Sequence, residues 1–262
     1  MMLTGRFSVL RSAVLLSWLA SLTLGCEIVP GSGEIVSETR PIPEVAAVSV
    51  CCGFEVDLKI GDVPRLVVTA DDNLIDKIEV DVNDGLLEIG WGEESSFFDP
   101  TEPVHLELTL PELVHFEGSG GVRLWAEDLA SERLSIELSG GSQARMSQVF
   151  VNELHVEENG GSQISFELIS SQKTVIDSSG GSILEAAGLS LKLDASISGG
   201  GKLKAEDLIT DYTHLDLSGG SHAELTVMQT LKGEASGGSV MVVHGDPARD
   251  VDSSGGSEVH DH

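Results

Sequence analysis

One four-residue phrase constrains this chain more than any other feature. Ser139-Gly140-Gly141-Ser142 returns as Ser119-Gly120-Gly121-Val122, Asn159-Gly160-Gly161-Ser162, Ser179-Gly180-Gly181-Ser182, Ser198-Gly199-Gly200-Gly201, Ser218-Gly219-Gly220-Ser221, Ser236-Gly237-Gly238-Ser239 and Ser254-Gly255-Gly256-Ser257. From first glycine to first glycine the steps are 20, 20, 20, 19, 20, 18 and 18 residues. A near-constant step over so many copies marks a repeat architecture. An isolated Ser-Gly-Gly-Ser reads as a flexible linker, but fixed spacing combined with matched apolar columns argues against that here.

The apolar columns say which repeat it is. Three positions after the second glycine stand Leu124, Ala144, Ile164, Leu184, Leu203, Ala223, Met241 and Val259; two further on stand Ala126, Met146, Phe166, Ala186, Ala205, Leu225 and Val243. Polar residues such as Arg145, Ser165, Glu185, Lys204 and Glu224 lie between them, and this period of two is that of a half-buried strand. A third column (Leu129, Val149, Ile169, Leu189, Leu208, Met228) and a fourth (Ile136, Val156, Ile176, Ala195, Leu215) complete the inward set. A single coil cannot bury such a face alone, whereas stacked coils build a continuous core. The expected fold is all-β: a right-handed parallel β-helix, or β-solenoid, of coils of about 20 residues stacked about 4.8 Å apart behind a β-rich N-terminal cap. The paired glycines fit a corner needing positive φ or close approach between layers, and the flanking serines a stacked ladder of hydroxyls that bond locally.

Residues 1–25 read as a secretory signal, with Arg6 and Arg11 before the apolar run Val14–Ala20 and small residues before Cys26. The cysteine after Gly25 resembles a bacterial lipobox, which implies cleavage before Cys26 and its lipidation. Glu27 is not the Asp that retains such proteins in an inner membrane, so the expected location is extracytoplasmic, lipid-anchored to the cell envelope, and at the outer membrane in a Gram-negative cell. Residues 26–44 read as a tether, 45–117 as the N-terminal β-rich part and 118–262 as the repeat solenoid. Cys51 and Cys52 read as structural, because Val50-Cys51-Cys52-Gly53-Phe54 looks like a degenerate copy of the corner. They match no zinc pattern, and neither a metal nor a cofactor is expected.

The chain carries 43 acidic against 15 basic residues, a net charge of −28. That excludes nucleic acid and a bare anionic lipid surface as expected partners. We read the acidity as solubility for strands that would otherwise pair edge to edge, in preference to calcium binding, on the expectation that no acidic column recurs at a fixed repeat position.

Ahead of the repeats, Phe54, Val56, Leu58 and Ile60 alternate with Glu55, Asp57 and Lys59 as one strand, Leu66–Thr69 gives another, and Asn83-Asp84-Gly85 turns a hairpin. The runs Gly53–Asp62, Ala70-Asp71-Asp72-Asn73-Leu74 through Val80, and Gly85–Gly90, taken with the glycine ladder, resemble the head GIN domain family, described as putative autotransporter adhesin heads, over roughly residues 45–240. The resemblance implies a bacterial lipoprotein with an adhesin-like role and carries no catalytic residues.

Enzymes do occur on β-helices, but they need convergent carboxylates or a base beside an arginine. Glu185 and Glu224, with Arg145 and Lys204 near by register, are the candidates, and their column is equally that of surface ion pairs. His105, His115, His155, His214, His222 and His244 are scattered, His260 and His262 lie in a polar terminus, and Trp125 is expected beneath the cap. The expected function is a non-catalytic, lipid-anchored envelope module that displays a rigid acidic face to a protein or glycan. The alternatives are a carbohydrate-active lyase or hydrolase on the same scaffold and a self-associating structural protein.

Overall fold

The computed structural model describes residues 28–92 and 97–261. The chain is almost entirely strand. β1 (Ile28–Pro30), β2 (Ile35–Arg40), β3 (Ala47–Val50), β4 (Glu55–Ile60), β5 (Arg65–Asp71), β6 (Ile78–Asn83), β7 (Leu86–Trp91), β8 (Phe97–Asp99) and β9 (His105–Leu110) build the N-terminal part. The repeats supply β10 (His115–Gly118), β11 (Arg123–Ala126), β12 (Leu129–Leu138), β13 (Gln143–Glu158), β14 (Gln163–Ser178), β15 (Ile183–Ile197), β16 (Lys202–Leu217), β17 (His222–Ala235), β18 (Val240–His244), β19 (Ala248–Ser253) and β20 (Glu258–Asp261). Every pairing between repeat strands is parallel and joins one coil to the next, as β13 to β14 and β14 to β15. The result is the β-solenoid expected from the period, with one continuous apolar core running its length.

The corners explain the glycines. Gly140 has φ +65° and Gly141 φ +81°. A Cβ at Gly140 would lie 3.0 Å from the Gly120 nitrogen of the coil beneath, whereas one at Gly141 would meet nothing within 4 Å. The first glycine therefore serves both the left-handed turn and the close stacking, and the second only the turn. The last serine of the phrase points inward: the Ser142, Ser162 and Ser182 hydroxyls donate to the carbonyls of Ser139, Asn159 and Ser179 at 2.7, 2.8 and 2.9 Å. Each of these three hydroxyls closes its own turn, whereas those of Ser221, Ser239 and Ser257 reach carbonyls of the preceding coil.

The Cys51-Cys52-Gly53 segment is a corner of the same kind. Gly118 pairs with Val50 and Arg123 with Glu55, so Cys52 (φ +73°) and Gly53 (φ +76°) lie under Gly120 and Gly121. Cys51 and Cys52 form a disulfide with each other. Below this coil β7 and β9 add a further parallel layer under β3 and β4, and the antiparallel strands β6, β5 and β2 close the end. Trp91 packs edge-on to Phe54, ring centroids 5.2 Å apart, and against Phe98 at 4.6 Å.

Three expectations change. Residues 26–44 are not simply a tether: β1 pairs with β8, and β2 pairs along its whole length with β5. Asp71 fastens them. It is fully buried, and burial works to raise its pKa, but bonds from the Thr101 hydroxyl, the Gly33 N–H and the Thr101 N–H outweigh that and hold it below the ordinary value. Asn73 adds a bond from its amide to the Pro30 carbonyl at 2.9 Å. The stacked register also runs through residue 118, so the coil carrying Cys51 and Cys52 belongs to the solenoid. Finally, Leu189 and Met228, read as inward, are 57% and 54% exposed. The 19-residue step drops one residue from the coil, so Gly188, not Leu189, pairs with Ile169 and with Leu208, and Met228 falls where the pairing of β16 with β17 is irregular.

Candidate functional site

Because the register is parallel and nearly unbroken, outward residues at equivalent positions form columns along the axis. Three such columns make up the sheet face that precedes each corner.

The column next to the corner is acidic. Glu117 pairs with Glu137, Glu137 with Glu157, Glu157 with Asp177 and Asp177 with Ser196; the line continues through Asp216, Glu234 and Asp252. This overturns the expectation that no acidic column recurs. Each member stands three residues before the first glycine of a corner, a fixed offset visible in the sequence. The carboxylates stand roughly 4.8 Å apart in successive layers, one per coil except at Ser196, and their partners are neutral groups or histidines: Ser49 donates to Glu117 at 3.2 Å, Asn159 to Glu157 at 3.0 Å and the Glu234 N–H to Asp216 at 3.0 Å, while His115 lies 3.8 Å from Glu137 and His214 3.4 Å from Asp216. Among the described residues no group of three His, Cys, Asp or Glu side chains is arranged to hold a metal ion.

Like charges directly opposite on neighbouring strands repel, and the repulsion is screened by salt. Glu157 has an acid on each side, and glutamine there keeps an oxygen for Asn159. Glu157→Gln is therefore expected to stabilise the fold by roughly 0.5–1 kcal/mol at low salt, and thermal melts at rising sodium chloride are expected to show that gain shrinking.

The other two columns carry cations. One runs Glu153, Lys173, Lys192, Tyr212 and Thr230; the other His155, Val175, Asp194, His214 and Lys232. Between them lies a surface groove of about 270 Å³. Three of the seven lysines in the sequence line it, namely Lys173, Lys192 and Lys232.

On the face after the corner, the residues weighed for catalysis fall into one column, Arg145, Ser165, Glu185, Lys204 and Glu224. Lys204 Nζ donates to Glu185 Oε1 at 2.6 Å, and that bond raises the lysine pKa further above its ordinary value, the opposite of what a general base needs. Glu224 pairs with His244 at 2.8 Å. Glu185 and Glu224 thus stand two coils apart with a cation between them.

The histidines do not converge. His105 lies 3.4 Å from Asp57, His115 3.8 Å from Glu137, His214 3.4 Å from Asp216 and His260 2.9 Å from Glu258. His262 and the lipidation candidate Cys26 lie outside the described residues. Trp125 is half-buried on the outward column, in register with Asp57 and Arg145.

Residues 46–247 match a family model described as putative auto-transporter adhesin, head GIN domain. Two crystal structures of putative adhesins share the fold. One, from Parabacteroides merdae ATCC 43184, has 19% identity and a TM-score of 0.83; the other, from Parabacteroides distasonis ATCC 8503, has 20% identity and a TM-score of 0.83. A third structure, a putative lipid binding protein from Parabacteroides distasonis ATCC 8503, has 18% identity and a TM-score of 0.81. In each case 90% of this chain and 100% of the other are covered. No curated protein matches the sequence.

Proposed function

As the chain belongs to the head GIN domain family, we propose that it is a non-catalytic, adhesin-like binding module held at the bacterial cell envelope by a lipid on Cys26 and displaying its solenoid outside the cytoplasm. The observation that carries this reading is the acidic column, which places a carboxylate at the same position of every coil from Glu117 to Asp252 except at Ser196. A group repeated along the axis suits an extended ligand better than a small molecule turned over in a pocket. The pairing of Glu185 with Lys204 and of Glu224 with His244 supports the non-catalytic part, because each carboxylate has a cationic or hydrogen-bonding partner on the surface.

Two measurements on the full-length protein test the proposal. Fed an alkyne-tagged fatty acid, cells are expected to label the wild type and to leave Cys26→Ala unlabelled and released from the membrane fraction; a labelled Cys26→Ala would sink the anchor. In a binding screen against envelope fractions and glycans with product analysis, saturable binding without products is expected, and shortened or unsaturated sugars would establish an enzyme instead.

A further inference from the structure

The lysine-lined groove points to a ligand class, an inference that rests on the adhesin-like reading. We infer that this groove is a binding site for an acidic polysaccharide, with Tyr212 as the platform on which a sugar ring stacks and Lys173, Lys192 and Lys232 as the groups that meet its carboxylates or sulfates.

Tyr212 is 43% exposed, and its orientation is fixed: the hydroxyl donates to Gln229 Oε1 at 2.9 Å, and Gln229 Nε2 donates in turn to Asp211 Oδ2 at 2.9 Å. An aromatic side chain held by its polar end with its ring open to solvent suits stacking on the apolar face of a pyranose. Lys192 is in register with the ring on one side, and Thr230 on the other. Lys173 follows Lys192 in the next coil, and Lys232 sits across the groove beside His214.

In a chain with 43 acids, the groove cations are lightly neutralised. Lys173 reaches Glu153 only at 3.7 Å, and Lys192 and Lys232 form no ion pair among the described residues. The lining also holds Asp194 and Thr230, which hydrogen-bond hydroxyls and would be left unpartnered against an acyl chain, and His214, whose ring faces Asp216 at 3.4 Å. Thus the groove combines a ring platform, cations and hydroxyl partners, the three requirements of a sugar that bears anions.

The layout also sets direction. The rows are roughly 4.8 Å apart along the axis, so a chain with one anion per unit offers its charges to successive coils when it lies along the column of Lys173, Lys192 and Tyr212. The acidic column borders the groove toward the corner, with Asp216 two residues after His214 and Glu234 two after Lys232, on the same face of the strand. It rejects a broad polyanion such as a nucleic-acid duplex while a single strand of sugar fits between, which is specificity by repulsion. The net charge of −28 does not prevent local attraction, since charges beyond about 8 Å are largely screened at physiological ionic strength.

Calorimetry on the full-length protein in detergent tests this. The probes are tetragalacturonate, its methyl ester, tetramannuronate, a heparin-derived tetrasaccharide and dextran sulfate. At least one acidic tetrasaccharide is expected to bind saturably. Methyl-esterified tetragalacturonate, the Lys192→Gln/Lys232→Gln double variant and Tyr212→Ala are each expected to weaken binding tenfold or more, with melting temperature unchanged because all three residues are on the surface. Binding that survives both variants places the ligand elsewhere and overturns the site. Dextran sulfate bound as tightly as the tetrasaccharides, and indifferent to Tyr212→Ala, reduces the groove to a charge patch and overturns the sugar assignment. If no acidic tetrasaccharide binds while the protein still adheres to envelope fractions, the groove is wrong and the adhesin-like reading stands; if it adheres to nothing, both fall.

Discussion

Glu158→Leu is expected to stabilise the protein by about 3 kcal/mol at pH 7, which for a domain of this size is a rise in melting temperature of roughly 6–12 °C. Glu158 is the last residue of β13 and points into the core, in the column that also holds Leu138 and Ser178. It is fully buried, and neither carboxylate oxygen has a hydrogen-bond partner. Burial pushes its pKa from 4.5 to about 8, against a smaller pull from the nearby Ile164 N–H, which falls short of a full hydrogen bond. The native protein therefore keeps the proton at pH 7, while the unfolded chain releases it above pH 4.5. Between those two values the native state binds the extra proton, so this residue makes stability fall as pH rises, by about 1.4 kcal/mol per unit. The acidic column and Asp71 also titrate, so the diagnostic is a difference. The advantage of Glu158→Leu over the wild type should grow from pH 5 to pH 7.5 and level off above pH 8 in urea melts. Glu158→Gln should show the same slope with a smaller gain, because its amide remains buried without a partner. A difference that is flat across this range would show that the carboxyl is neither dry nor neutral.

Glu158 also shows what could and could not be read in the sequence. The corner phrase, the inward columns and the hairpin at Asn83-Asp84-Gly85 were legible because each depends on local backbone need or on a period of two. The acidic column was equally legible, three residues before each first glycine except at Ser196. The groove was legible only in part. Lys173, Lys192 and Tyr212 each stand seven residues before the first glycine of the following corner and Lys232 five before it, but that an open groove lies between these two columns depends on how the side chains of stacked coils pack. The strands β1 and β2 were hidden for another reason: Gly31, Gly33, Pro41 and Pro43 have the composition of a linker, and what orders that segment is a set of bonds to Asp71 and Asn73, some forty residues away.

The same departures from regularity locate the most sensitive backbone positions, and they are not the repeated glycines. Gly188→Ala is expected to cost about 4 kcal/mol or more, beyond the range of ordinary substitutions. Gly188 sits at φ +119°, and a Cβ there would lie 2.2 Å from the Ile169 carbonyl oxygen and 2.7 Å from its nitrogen. Both contacts are backbone atoms of the adjacent coil, which can yield only by opening the parallel ladder. Gly233 is in the same situation, with φ +140° and a Cβ 2.0 Å from the Leu215 carbonyl oxygen. In each case a coil shorter than 20 residues has been drawn tight against its neighbour, and the missing side chain makes the fit feasible. Gly141→Ala, strained at φ +81° but with open space around it, should cost about 1 kcal/mol. Gly181→Ala should be nearly neutral, since that Cβ meets nothing within 4 Å and the residue lies outside the left-handed region. Denaturant melts of these variants should therefore rank Gly181, Gly141 and Gly188 in ascending order of cost. If alanine at Gly141 proved as damaging as at Gly188, strain in the turn rather than close approach of coils would limit stability, and the short coils would not be the tight points of the solenoid.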